Sequence, residues 1–163
     1  MEDRPSTDPA YAGSENDVDV DVIVAARGWR SHVRNPELVV RRAAALLGEP
    51  MVVVLSDDRE VRRLNGRHRG KYKPTNVLTF DPTMPGEPGE LMLALGVVLR
   101  EAQAQGKRVS DHLSHLVIHG GLHLLGYDHE HPGDARRMEM EEAQLMSQLH
   151  RPNPWKPDSG RSA

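Results

Sequence analysis

The sequence predicts a single α/β (α+β) domain built on a central mixed sheet of about four strands packed with helices. Two observations carry this. Short β-branched, apolar runs alternate with helical patterns up to about residue 105, and only helical patterns follow to about residue 150. The length of 163 residues suits one domain and can bury a core without disulfide bonds. Strand order is not legible at this level.

The elements follow in order. Residues 1–16 are rich in acidic residues, Ser, Pro and Gly with few apolar anchors, and read as a disordered tail. The domain is expected over residues 17–150, opening with Asp17-Val18-Asp19-Val20-Asp21-Val22, whose period of two marks a half-buried strand. Asn35-Pro36 offers an N-cap and a first helical residue for a helix with Leu38, Val39, Ala43, Leu46 and Leu47 on its apolar face, closed by Gly48. Met51 to Leu55 reads as a buried strand, and Ser56-Asp57-Asp58 as caps for a helix through about Leu64. Gly66 and Gly70 are expected to break the next segment into loop. Strands at Val77–Phe80 and Leu91–Leu95 flank a Pro/Gly loop over Asp81–Glu87, and helices are expected near 97–105, 110–125 and 134–149. Residues 151–163, with Pro152, Pro154 and Pro157, read as an irregular tail.

Composition narrows the function. With no cysteine, thiolate zinc sites, disulfide frameworks and cysteine nucleophiles are excluded. The N-terminus lacks a basic stretch followed by an apolar run, and no segment approaches the ~20 apolar residues of a membrane span. A soluble cytoplasmic protein with no membrane partner is expected. The net charge is −3, yet Arg59, Arg62, Arg63, Arg67, Arg69, Lys71 and Lys73 face only Glu60 between residues 59 and 73. A basic face can therefore exist on a weakly acidic chain.

The most informative stretch is His119-Gly120-Gly121-Leu122-His123-Leu124-Leu125-Gly126-Tyr127-Asp128-His129. His119 and His123 lie one turn apart on a helix face. Gly126 can take the left-handed C′ position that ends the helix, so the chain can return His129 to the other two. Three imidazoles around one Zn²⁺ leave a fourth position for water, which marks a catalytic rather than a structural site. An isolated His pair at this spacing is more often an ordinary helix feature; the third His and the Gly turn the reading toward metal. The zinc site is thus expected on a helix of the C-terminal half and the following turn.

The same offsets occur in the zincin peptidases, but Gly120 stands where those enzymes carry their glutamate base. His112 and His115 are read as partly exposed helix residues, although they could line the same cleft. Glu139, Glu141 and Glu142 are read mainly as a solvated face, from which one could still back a ligand. His32, His68, His131 and His150 receive no metal role.

This histidine segment, followed by Met138-Glu139 and Glu142, resembles the signature of the YbeY-type rRNA maturation endoribonucleases. Leu64-Asn65, Arg69-Gly70-Lys71, Pro74-Thr75-Asn76-Val77-Leu78-Thr79-Phe80, Gly89-Glu90 and Arg100-Glu101-Ala102 agree with it. The likeness covers about residues 18–150. It implies an α/β fold with one zinc ion per chain held by His119, His123 and His129. It also implies single-strand-specific hydrolysis of RNA, in maturation of the small-subunit rRNA at the 16S 3′ end and in small-subunit quality control. Small-subunit ribosomal proteins or assembly factors are the implied protein partners. Arg69 carries over as the basic residue opposite the metal. Three positions depart from the usual pattern: Asn76 and Glu90 stand where Asp is common, and Thr79 where Ser is common.

In that frame Arg69 meets charge on the phosphoryl oxygens with its guanidinium fork, so Arg69, His119, His123 and His129 form the candidate catalytic set. Arg67, Arg69, Lys71 and Lys73 would track phosphates, and Tyr72 could stack a base or simply pack. The general base stays open among Glu90, Asp128, Glu130 and none, as does the choice between water and the RNA 2′-hydroxyl as nucleophile. A metallopeptidase or other zinc hydrolase, and a non-catalytic ribosome-binding factor, are the competing readings.

Overall fold

The structure, a computed structural model, describes residues 19–69, 75–127 and 131–156; the side chains of residues 67–69 also fall outside the description. The elements are β1 (Val20–Val24), α1 (Trp29–His32), α2 (Pro36–Ala45), β2 (Met51–Ser56), α3 (Asp58–Arg69), β3 (Val77–Phe80), β4 (Gly89–Ala94), α4 (Leu95–Ala104), α5 (Val109–Leu124) and α6 (Pro132–Gln148). The strands form one mixed sheet in the order β1-β2-β4-β3. β1, β2 and β4 run parallel, and β3 is antiparallel on the edge. This is the α+β architecture that the sequence predicts. No described helix is long and apolar enough to cross a membrane.

Alternation along the strands divides the core. Met51, Val53, Leu55, Leu91 and Leu93 enter the larger cluster with α2 and α5, while Met92 and Ala94 meet Val61 of α3 on the other face. In β1, Val20, Val22 and Val24 are half-buried while Asp21 and Ile23 face outward, as the period of two requires. The predicted caps also form. Asn35, at φ 52°, accepts from the Leu38 N–H at 3.3 Å, and Asp57 accepts from the Glu60 N–H at 2.8 Å.

Three boundaries differ from expectation. α1 has no counterpart in the sequence reading; it places the fully buried Trp29, whose Nε1–H donates to the Ser56 carbonyl at 2.9 Å. α3 continues through Gly66 to Arg69 instead of stopping near Leu64. Asn65 and Gly66 are buried there, so packing overrides the ~1 kcal/mol helix penalty of glycine. β4 begins at Gly89, which puts Glu90 inside the strand.

α5 is the axis of the molecule. From Asp111 to Leu122 every residue except His119 is buried, because α2, α4, α6, β3 and β4 pack around it. His112 and His115, expected to be partly exposed, are only 3% and 7% exposed. The helix can lie this close because of its two glycines. A Cβ at Gly120 would stand 2.8 Å from a methyl of Leu91, and one at Gly121 would run into Leu47 beyond the end of α2. A glutamate at position 120 would therefore be aimed into the sheet. Gly120→Glu is expected to lose more than about 2 kcal/mol of stability through overpacking and an unpaired buried charge, read from the urea unfolding midpoint.

Candidate metal centre and groove

The site is built on the exposed edge of α5 and the turn that ends it. Gly126 adopts φ 101°, its N–H bonds the His123 carbonyl at 3.0 Å, and the Tyr127 N–H bonds the Leu122 carbonyl at 3.0 Å. These are the paired bonds of a Schellman C-cap, with Gly126 at C′ as its sequence position predicts. The turn brings the Tyr127 carbonyl back to His123, whose Nδ1 lies 3.1 Å from it.

His119 and His123 lie together, with ring centroids 4.7 Å apart and planes at 84°. Their hydrogen bonds set their tautomers. The Tyr127 carbonyl and the Glu142 carboxylate can only accept, so His123 Nδ1 and His119 Nδ1, the latter 2.6 Å from Glu142 Oε2, each carry a proton. Nε2 is then the nitrogen that each ring presents for coordination. This is the arrangement in which an oxygen acceptor behind an imidazole orients it for a metal. Among the described residues, His119 and His123 fit two of the three imidazole ligands of the zinc that the resemblance implies.

Glu142 is the centre of a buried cluster. His115 Nε2–H donates to its Oε1 at 2.7 Å and Trp155 Nε1–H to the same oxygen at 2.9 Å, while the carboxylate is fully buried. Burial alone pushes the Glu142 carboxyl up, but the hydrogen bonds and charges of His115 and His119 outweigh it and bring it down to about 2. Donor atoms of His115, His119 and Glu142 lie within 4.8 Å of one another, so this trio could also hold a metal ion. As they stand, its N···O separations of 2.6 and 2.7 Å are hydrogen-bond lengths. Two ligands of one tetrahedral zinc ion sit roughly 3.3 Å apart.

A groove of about 560 Å³ runs from His119 past His115 and Trp155 to Asn76, Glu101 and Lys107. At its far end His112 Nε2–H donates to Glu101 at 2.8 Å, and the Asn76 amide donates to both Glu101 oxygens at 3.1 and 3.2 Å. An Asp at position 76 could not make that donation unless protonated. Burial pushes the His112 imidazole below its usual range, and the Glu101 bond does not restore it. Lys107 donates to the Pro154 carbonyl at 3.1 Å.

The structure brings His119 and His123 together. His129, Lys71, Tyr72 and Lys73 lie outside the described residues, as do Asp128, Glu130 and the side chains of Arg67 and Arg69. Glu90 pairs with Val52 and Phe80 and shares the strand face of Met92, away from α5. As a candidate base it is separated from the histidines by the sheet. Sequence reasoning missed the burial of Glu142 and the part played by Trp155. A signal for the first existed: Met138, Glu142, Leu145 and Met146 recur at helical spacing and are all buried. Trp155 had none.

Residues 28–150 match the family described as Endoribonuclease YbeY. The chain belongs to this family. Among proteins named Endoribonuclease YbeY, that of Gluconobacter oxydans is 43% identical over 153 residues, covering 88% of this chain and 91% of its own. That of Halorhodospira halophila is 46% identical over 116 residues, 66% of this chain and 75% of its own. That of Nitrobacter winogradskyi is 38% identical over 156 residues, 84% of this chain and 82% of its own. The solution structure of TM1509 from Thermotoga maritima is 23% identical, with a TM-score of 0.54 over 87% of this chain and 99% of that one, a likeness of fold.

The depressed Glu142 carboxyl has a consequence for acid stability in metal-free protein. Its contribution is complete above the ordinary carboxylate value of 4.5 and is lost as pH falls toward about 2. Stability of chelator-treated protein is expected to decline over that window, and Glu142→Gln to flatten the decline while lowering stability at pH 7 by about 1–3 kcal/mol. Urea titrations at stepped pH give both numbers.

Proposed function

We propose that the protein is a zinc-dependent, single-strand-specific endoribonuclease. On this reading it matures small-subunit rRNA at the 16S 3′ end and serves small-subunit quality control in the cytoplasm, with ribosomal proteins or assembly factors as partners. The observation that carries the reading is the pairing of His119 and His123, each with Nδ1 committed to an oxygen acceptor behind it. His129, from the chain that follows the Gly126 turn, is the proposed third ligand. A zinc ion held by the three would supply Lewis acidity at a phosphoryl oxygen, whether water or the RNA 2′-hydroxyl is the nucleophile.

The chain's own residues do the rest. Arg69 meets the non-bridging oxygens of the scissile phosphate, where charge grows in the transition state. Arg67, Lys71 and Lys73 hold neighbouring phosphates without reading sequence, and Tyr72 offers a face to a base. The groove beside His119 receives the strand. The peptidase alternative loses its main support at Gly120, where the glutamate base of that chemistry would collide with Leu91. The catalytic unit proposed for residues 17–150 is extended by Trp155, which reaches Glu142 from the following segment.

The test compares cleavage of an end-labelled single-stranded RNA by wild type and by His123→Ala purified identically. Wild-type cleavage that disappears in the variant is expected; equal activity in both would mark a contaminant and remove the assignment. Arg69→Lys is expected to keep zinc, measured by metal analysis, and to cleave at least about tenfold more slowly, because lysine lacks the guanidinium fork. Unchanged turnover would take Arg69 out of the mechanism.

A further inference from the structure

We infer that Trp155, in the segment after the last helix, is a positioning residue for the metal site, acting through Glu142 on His119. The inference rests on the metal reading above, and it is carried by a continuous chain of contacts. The Trp155 Nε1–H donates to Glu142 Oε1 at 2.9 Å, and Glu142 Oε2 accepts from His119 Nδ1 at 2.6 Å. The indole also meets the His115 ring edge-to-face, with ring centroids 5.4 Å apart and planes at 88°.

Glu142 needs this third donor. Its two oxygens are fully buried, and a buried carboxylate left short of hydrogen bonds swings toward whatever donor it can reach. With His115 and Trp155 both on Oε1, that oxygen is held from two directions, and Oε2 is left aimed at His119. Partners of this kind behind a metal-binding imidazole are worth about 10–100-fold in metal affinity. Trp155 stands one step further back, so the lower end of that range applies.

The segment is itself tied down, which an orienting group requires. Arg151 Nη1 donates to Asp111 at 2.7 Å and Lys107 Nζ to the Pro154 carbonyl at 3.1 Å, so α5 and the turn before it hold the stretch that leads into Trp155. The Trp155 N–H also bonds the Asn153 side chain at 2.8 Å. Residues 151–156 are irregular in backbone, yet Pro154, Trp155 and Lys156 line the groove beside His115.

The experiment uses the full chain and Trp155→Phe, which keeps an aromatic ring at the position and removes the indole N–H together with part of the ring. Zn²⁺ affinity is measured by competition with a chelator, alongside thermal unfolding of both metal-free proteins. About a tenfold weaker zinc affinity is expected, with a fall in kcat rather than a rise in KM for RNA; the metal-free melting temperature is expected to fall as well, because the buried carboxylate loses a donor. Unchanged zinc affinity would overturn the inference. A rise in KM alone would overturn it too, and would mark the exposed indole face as a stacking surface for RNA.

Should Trp155→Phe not fold, the wild-type protein answers through its two indole N–H resonances. That of Trp155 is expected to shift as Zn²⁺ is added, while that of Trp29, bonded to Ser56 far along the chain, stays still. A Trp155 signal that ignores Zn²⁺ would sink the inference. Wild-type protein that binds no Zn²⁺ would remove the metal reading and this inference together, whereas normal wild-type binding with an indifferent Trp155 removes only the inference.

Discussion

The buried carboxylate of Glu142 is the constraint on which the site depends. A charge with no exposed surface is tolerated only when donors surround it, and here they come from two parts of the chain other than its own. His115 and His119 belong to α5, Glu142 to α6, and Trp155 to the segment beyond. Satisfying one side chain therefore fixes the docking of α6 on α5 and the path of the chain after it. The same requirement sets the tautomer of His119, because an ionised carboxylate can only accept. Structure and candidate chemistry meet in that one proton.

The second constraint is steric. α5 must pass close to the sheet, and Gly120 and Gly121 allow it at the expense of helix propensity. That close approach buries one side of the helix completely and leaves His119 and His123 on the other. It also settles why a zincin-like spacing occurs without the zincin glutamate. The residue after the first histidine points at Leu91, so a carboxylate there would face the core and not a substrate. Ligand spacing and catalytic base are separable because consecutive helical residues are about 100° apart.

Most of the fold was legible because it follows from local rules. The period of two in β1, the caps at Asn35 and Asp57, and the C′ role of Gly126 each rest on residues adjacent in sequence. What was not legible depends on partners far along the chain. Nothing local distinguishes a loop glycine from Gly66, which stays helical because α3 is packed there. His112 and His115 look like surface residues until Glu101 and Glu142 arrive to pair with their Nε2 atoms. A tail of prolines gives no warning that Trp155 will reach a carboxylate thirteen positions back.

Two histidine-bound carboxylates stand in different surroundings, Glu142 behind the groove and Glu101 in its lining, and the difference bears on how the groove could accept RNA. Glu142, fully buried, points its charge inward, where His115 and His119 compensate it. Glu101 keeps about a third of its side chain exposed, with Asn76 and His112 holding it in place. An open negative charge beside a polyanion is unfavourable unless something offsets it. Lys107 lines the same groove, its half-buried ammonium drawn down by desolvation and held up by Asp111, Glu101 and Glu142. The two ends of the groove thus differ in charge: imidazoles line the end at His119, while a part-exposed carboxylate with Lys107 nearby lines the end at Glu101.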